Sequence, residues 1–315
     1  MKSLLLLRDL LVAAVVIALA APLWLLPWRA ALRLGRLLGL VAYHLWPRAR
    51  RVGMINLRRA YGAEMTREKA RLAVREVVAN LFQGAAEAAQ FARRFKGDGA
   101  AWETLYTAED PALEARLLAD PRPKIFVTGH LGSWEIGAMM VGQRIGDRGA
   151  AVVRRVENPF LNAVVKSVRV THATQWIDKQ GSVGTALDLL RAGQSVLLLL
   201  DENGGHRGHF VSFFGRPAST QKTAALLSLK TGAPIVLGAA VRRGDRLFYR
   251  LSLIEVPEER RPESLRPLTQ EIVARFEAWV REDPLQWRWI HHRWKTRPDG
   301  TEETYGREDV ARCFA

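Results

Sequence analysis

Between Leu10 and Trp28 the chain carries no charged residue, and Leu, Val, Ile and Ala make up most of the stretch. A membrane-crossing helix needs about 20 predominantly apolar residues, so this run is long enough to span a bilayer. Pro22 and Pro27 stand near its end. Trp24 and Trp28 lie at its far edge, where indoles favour the interface, and Arg29, Arg33 and Arg36 follow directly. These cations outnumber Lys2 and Arg8 on the other flank, and the positive-inside bias then places the rest of the chain in the cytoplasm. Two other readings compete. Ala18-Leu19-Ala20 has the small-x-small form of a signal-peptide cleavage site, although Asp9 intrudes and the Trp- and Arg-rich sequel suits an interface. A buried helix of a soluble protein also has this length.

Residues 30 to 46 space Leu32, Leu34, Leu37, Leu38 and Val41 against Arg33 and Arg36, which predicts a second, amphipathic helix lying along the membrane and ended by Pro47. Thr66 to Phe95 predicts a long helix with Thr66 as its N-cap, Lys69 and Arg71 on a wet side, and Leu72, Val77, Leu81 and Phe82 on a dry one. Beyond residue 100 the pattern changes. Short β-rich runs at Lys124–Thr128, Ala151–Val153, Ser195–Leu200, Ile235–Val241 and Leu247–Val256 alternate with helical stretches near 133–145, 182–192, 219–231 and 268–282. The expected fold is α/β, a central mostly parallel or mixed sheet with helices on both faces. Residues 1–46 read as membrane anchor and interfacial helix and 47–315 as one α/β domain, with no internal repeat and a surface loop at Pro257–Pro267.

A formal net charge of +15 attracts polyanions: nucleic acid, an anionic bilayer surface, or an acidic carrier. Cys313 is the single cysteine, which excludes an intrachain disulfide and a cysteine-based zinc cluster and agrees with a reducing compartment. The tail alternates Trp287, Trp289 and Trp294 with Arg288, Arg293, Lys295 and Arg297, a mixture that suits lipid headgroups or single-stranded nucleic acid. No Walker or dinucleotide fingerprint occurs, and no Gly-x-Ser-x-Gly elbow supplies a hydrolase nucleophile.

Open α/β sheets bind ligands beyond the carboxyl ends of their strands, and the first clear strand runs into Gly129-His130-Leu131-Gly132-Ser133-Trp134-Glu135. Ser133 can cap the following helix, leaving His130 outside it and Glu135 in its first turn. On one continuous helix two side chains five residues apart point about 140° from each other, so their pairing requires the bend that Gly129 and Gly132 permit. Glu135 then holds one imidazole nitrogen and leaves the other as a base. The spacing fits equally well a satisfied turn histidine and an ordinary first-turn acid.

The Gly-His-Leu-Gly-Ser-Trp-Glu segment resembles the His-x4-acid motif of the lysophospholipid acyltransferase superfamily, specifically its lipid A biosynthesis lauroyl/myristoyl acyltransferase family. Three further segments resemble that family in order: Arg154-Arg155-Val156-Glu157-Asn158-Pro159, Leu200 to Gly205 with Val211 to Thr220, and Trp289 to Pro298. The resemblance implies a bacterial inner-membrane enzyme at the cytoplasmic face. It takes an acyl chain from acyl carrier protein or acyl-CoA and moves it to a hydroxyl of a lipid A precursor or related glycolipid, with no metal or organic cofactor and no nucleic-acid partner. It implies His130 as general base oriented by Glu135. Ser133, Arg154, Asp201, Phe213 and Phe214 are the candidate substrate-binding residues. Arg154 would grip a phosphate or oxyanion and the two phenylalanines would line an acyl tunnel, although adjacent Phe residues also read as plain core. Asp201, at a strand's carboxyl end, would anchor a loop by accepting backbone donors or pair with Arg154. The sequence departs from the family pattern at Arg155, commonly proline, and at Asp201-Glu202, more often Asp-Gln. The competing class is a non-enzymatic basic membrane or nucleic-acid binder, resting on the charge and the Trp/Arg tail.

Overall fold

A computed structural model describes residues 2–94, 106–145, 149–153, 156–169, 175–178 and 181–315. Four helices lead: α1 (Lys2–Leu25), α2 (Trp28–Leu45), α3 (Pro47–Tyr61) and α4 (Arg67–Arg94). Pro47 ends one helix and opens the next, since its missing N–H is no loss at a first helical position. Thr66 caps α4 through its hydroxyl, which accepts from the Lys69 N–H at 3.2 Å. Helix α1 is long and apolar enough to cross a membrane over Leu5–Leu25 and presents Leu6, Leu11, Val15 and Leu25 outward. Helix α2 divides its apolar residues. Trp28, Ala31, Leu32, Gly35, Gly39 and Tyr43 are buried and the helix packs on α4, while Leu37, Val41 and Leu45 form an exposed stripe at intervals of four.

The remainder is a seven-stranded sheet: β1 (Tyr106–Ala108), β2 (Ile125–Thr128), β3 (Gly149–Val153), β4 (Gln175–Asp178), β5 (Ser195–Leu199), β8 (Ile235–Arg243) and β9 (Arg246–Ile254), in the order β1-β9-β8-β2-β5-β3-β4. The block β8-β2-β5-β3-β4 is parallel, and β9 turns antiparallel onto β8 and carries β1 in parallel. The other α-helices among the described residues are α5 (Pro111–Ala119), α6 (Trp134–Ile145), α7 (Pro159–Arg169), α8 (Ser182–Arg191), α9 (Thr223–Thr231), α10 (Leu265–Glu282) and α11 (Arg307–Phe314). Alternation along β2 shows that both sheet faces are covered. Phe126 packs with Ile136, Met139 and Met140 of α6, whereas Ile125 and Val127 join Ala186, Leu190, Ala224 and Leu227 of α8 and α9. That double coverage is why β2 and β5 read as unbroken apolar runs.

Some expectations are corrected. The helix expected from 219 starts at Thr223, because Arg216–Thr220 (β7) pairs with His209–Phe213 (β6) across a turn in which Phe214 and Gly215 take φ of 53° and 69°. The surface loop ends earlier than Pro267, since α10 begins at Leu265. The tail's tryptophans and Arg293 are core rather than surface, while Arg297 stays exposed. Trp287, Trp289, Arg293 and Trp294 are all buried, and Arg293 donates to the Ser219 carbonyl at 2.6 Å and the Thr220 hydroxyl at 2.6 Å. Burial holds the Arg293 guanidinium down to about 10. The aromatic mixture that suited nucleic-acid stacking is therefore spent on internal packing.

Candidate active site

Strand β2 and strand β5 are parallel neighbours in the register Thr128↔Leu199, so the residues two beyond each pair, His130 and Asp201, emerge side by side at the carboxyl edge of the sheet. The imidazole Nδ1 donates to Asp201 Oδ1 at 2.8 Å, and the His130 backbone N–H donates to Oδ2 at 2.7 Å. Trp287 Nε1 also donates to Oδ2, at 2.8 Å. Burial pushes the Asp201 carboxyl up, but the charge and hydrogen bonds of His130 together with Arg288 outweigh it and hold the group well below the usual carboxylate range. An ionised carboxylate only accepts, which fixes the proton on Nδ1 and leaves the Nε2 lone pair as the ring's basic position.

The turn that carries His130 is clamped from two sides. Ser133 N–H donates to the Ala240 carbonyl of β8 at 2.7 Å, Gly132 N–H to the Gln286 carbonyl at 3.1 Å, and Arg288 N–H to the His130 carbonyl at 3.1 Å. Two glycines make this possible. Gly132 takes φ +63° and lies so close to β8 that a Cβ there would stand 2.0 Å from the Ala240 oxygen. At Gly129 a Cβ would meet the Phe276 ring at 2.3 Å and the Asp201 carboxyl carbon at 2.9 Å.

His130 borders a cavity of about 460 Å³. Its walls are mostly apolar: Ala138, Met139 and Gly142 of α6, Ala151 to Val153 of β3, Leu197 to Leu200 around β5, and Trp176 and Val183. Its polar lining is His130, Glu135, Ser182, Glu202, Gln221, Thr223 and Arg288, and the charges of His130 and Arg288 both act on Glu202. Arg288 Nη2 donates to Glu202 Oε1 at 2.5 Å. Burial raises the Glu202 carboxyl, but His130, Arg288 and His291 outweigh it and hold the group below its ordinary value. Behind this pair, burial holds His291 down to about 4, in keeping with its Nε2 accepting the Asn203 N–H at 3.0 Å. A basic imidazole on the border of a mostly apolar cavity can take a proton from an alcohol while an acyl chain lies within it.

The sequence-based site is brought together in part. Glu135 stands on the cavity wall, but the carboxylate on the imidazole is that of Asp201. Trp134 opens α6, which places Glu135 in a helical first turn, whereas the parallel register delivers Asp201 to Nδ1. Asp201 does anchor a loop through a backbone donor, as one reading had it, and holds the ring as well. Ser133 is buried and does not face the cavity. Its hydroxyl donates to Glu87 Oε2 at 2.5 Å, and Glu87 also receives Arg242 Nη2 at 2.6 Å. Phe213 and Phe214 sit in an aromatic core with Trp287, Trp289 and Tyr61 and do not line the cavity, because the β6–β7 hairpin turns them inward. Arg154 and Arg155 lie outside the described residues. Sequence reasoning missed the site roles of Arg288, Glu202 and Trp287. Trp287 and Arg288 stood out in the sequence only as part of the Trp/Arg tail, and Glu202 only as a departure from the family pattern; in the structure Glu202 accepts from Arg288. Among the described residues no three His, Cys, Asp or Glu side chains converge to hold a metal ion.

Comparison with known proteins follows the same direction. The sequence profile of a family described as bacterial lipid A biosynthesis acyltransferase matches residues 1–296. The chain is 27% identical over 195 residues to the lipid A biosynthesis lauroyltransferase of Escherichia coli, covering 59% of this chain and 61% of that protein. It is 28% identical over 185 residues to the palmitoleoyltransferase of the same organism, covering 58% and 59%. It is 26% identical over 184 residues to the lipid A biosynthesis acyltransferase of Haemophilus influenzae, covering 56% of each. The aligned region thus spans 56–61% of the length of these relatives.

Proposed function

Because the chain belongs to the bacterial lipid A biosynthesis acyltransferase family, we propose that it transfers a fatty acyl chain from a thioester to a hydroxyl of a lipid A precursor or a related glycolipid. The observation that carries this reading is the His130–Asp201 pair on the border of a mostly apolar cavity. His130 Nε2 takes the proton of the acceptor hydroxyl as the oxygen attacks the thioester carbonyl. The new C–O bond replaces the C–S bond, and the departing thiolate takes the proton back from the imidazolium. Asp201 keeps Nδ1 protonated and stabilises that imidazolium. Arg288, the one cationic side chain among the described lining residues, opposes the negative charge that develops on the carbonyl oxygen. Glu135 forms part of the wall that the acceptor meets, and Arg154, on the strength of the resemblance, receives its phosphate.

The donor is acyl carrier protein or acyl-CoA, and the reaction takes place at the cytoplasmic face of the inner membrane, in line with the apolar α1 and the cations after it. The test is mass spectrometry of a lipid A precursor incubated in vesicles with the full chain and dodecanoyl-acyl carrier protein or dodecanoyl-CoA. The expected product is heavier by one dodecanoyl group. His130→Ala should lower turnover by about a hundred- to ten-thousandfold, the usual contribution of a positioned base. Full turnover by a folded His130→Ala protein would refute the assignment.

A further inference from the structure

Helix α1 is fastened to the domain at two separated points. Asn158 Nδ2 donates to the Asp9 carbonyl at 2.7 Å, and Gln90 Nε2 donates to the Leu26 carbonyl at 2.9 Å and to the Leu23 carbonyl. Asp9 and Leu23 are about 21 Å apart along the helix at 1.5 Å per residue. Helix α1 packs against α2, α4 and α7, with Ala13 buried in the contact. A tether that merely holds a domain near a bilayer leaves the domain surface after one attachment point. This helix lies along it.

The outer fastening is made by a residue with two tasks. Asn158 Oδ1 accepts the N–H groups of Phe160 and Leu161, each at 3.0 Å, and so caps α7, while its amide nitrogen reaches α1. Asn158 follows Val153 by five residues, and Val153 with Ala151 and Val152 forms the β3 wall of the cavity. One amide therefore joins the apolar helix to the segment that follows the β3 wall of the cavity.

We infer that Asn158 is a positioning residue that couples the docked apolar helix α1 to the start of α7 and, through the chain that precedes it, to the β3 wall of the cavity, and so to the seating of a lipid acceptor. The inference rests on the acyl-transfer reading for its kinetic part and on geometry alone for its docking part. Asn158→Asp and Asn158→Ser both keep good caps for α7, but neither carries the amide donor that reaches Asp9.

The experiment uses the full chain in phosphatidylethanolamine/phosphatidylglycerol nanodiscs, with a lipid A precursor as acceptor at varied mole fraction and dodecanoyl-CoA as donor. Both variants should raise the acceptor KM by about three- to tenfold, the loss of one hydrogen bond, with donor KM and thermal midpoint unchanged. Hydrogen exchange should quicken in residues 5–17 and 156–165 alone. Wild-type acceptor KM and exchange in both variants would overturn the coupling, as would equal shifts in donor KM, acceptor KM and thermal midpoint, which mark general loosening. Absence of transfer by the wild-type chain would remove the acyl-transfer reading, and the exchange comparison would still decide whether Asn158 docks α1.

Discussion

Replacing Asp201 by Asn tests the electrostatic role of the buried carboxylate. The oxygen at the Oδ2 position of Asp201 receives two donors, His130 N–H at 2.7 Å and Trp287 Nε1 at 2.8 Å, and an amide oxygen satisfies both. The amide NH2 then falls at the Oδ1 position, 2.8 Å from Nδ1, where the carboxylate accepted. Nδ1 must become the acceptor, which moves the ring proton to Nε2 and removes the lone pair facing the substrate. The equivalent tautomer inversion in a serine protease triad costs about ten-thousandfold in turnover, and a positioned base contributes at least about a hundredfold. A loss between these limits corresponds to about 3–5 kcal/mol of barrier. The assay is single-turnover transfer with the full chain in vesicles, beside a thermal midpoint that should fall, because the lost carboxylate stabilises the fold and the second amide N–H has no named acceptor, while the protein stays folded at the assay temperature. Turnover within about fivefold of wild type, a barrier change near 1 kcal/mol, in a folded Asp201→Asn protein would refute the proposition that Asp201 sets the imidazole tautomer.

Two further outcomes follow from the same geometry. Ser133→Ala removes one hydrogen bond to the buried Glu87 carboxylate and should cost about 1.5–3 kcal/mol of stability by denaturant titration. Turnover should stay within about threefold; a raised KM for either substrate would return Ser133 to the binding surface. His291, held down to about 4 in the fold, stays neutral while an unfolded chain takes up a proton below about 6.5. Stability therefore falls as pH drops from about 6.5 toward 4. His291→Gln should flatten that part of the thermal-midpoint profile in detergent, and an unchanged slope would contradict a buried neutral ring.

Much of the sheet was legible because its strands are buried on both faces and read as short apolar runs bounded by turn residues. Strands β1 and β4 escaped because Tyr106–Ala108 and Gln175–Asp178 are brief edge segments with no such run. The last two residues of the hairpin strand Arg216–Thr220, Ser219 and Thr220, fell within the helical stretch expected near 219–231, and only pairing with His209–Phe213 decides otherwise. At the site, spacing brought His130 to the sheet edge but could not select its carboxylate. Glu135 is near in sequence, whereas Asp201 is near through a lateral register that no local pattern encodes. The tail misled for a related reason. Alternating Trp and Arg suggests a surface, yet Arg293 finds internal acceptors at Ser219 and Thr220 and Trp287 finds Asp201.

The indole of Trp287 and the Arg288 N–H reach the His130–Asp201 pair from a segment 86 and 158 residues downstream of the groups they hold. Closures of such span form late, after the entropy of the intervening loop has been overcome. Until they do, Asp201 lacks one of its donors and the His130 turn lacks one of its clamps. A chain still lacking the tryptophan segment therefore has its apolar first helix complete while the His130–Asp201 pair is without these two contacts.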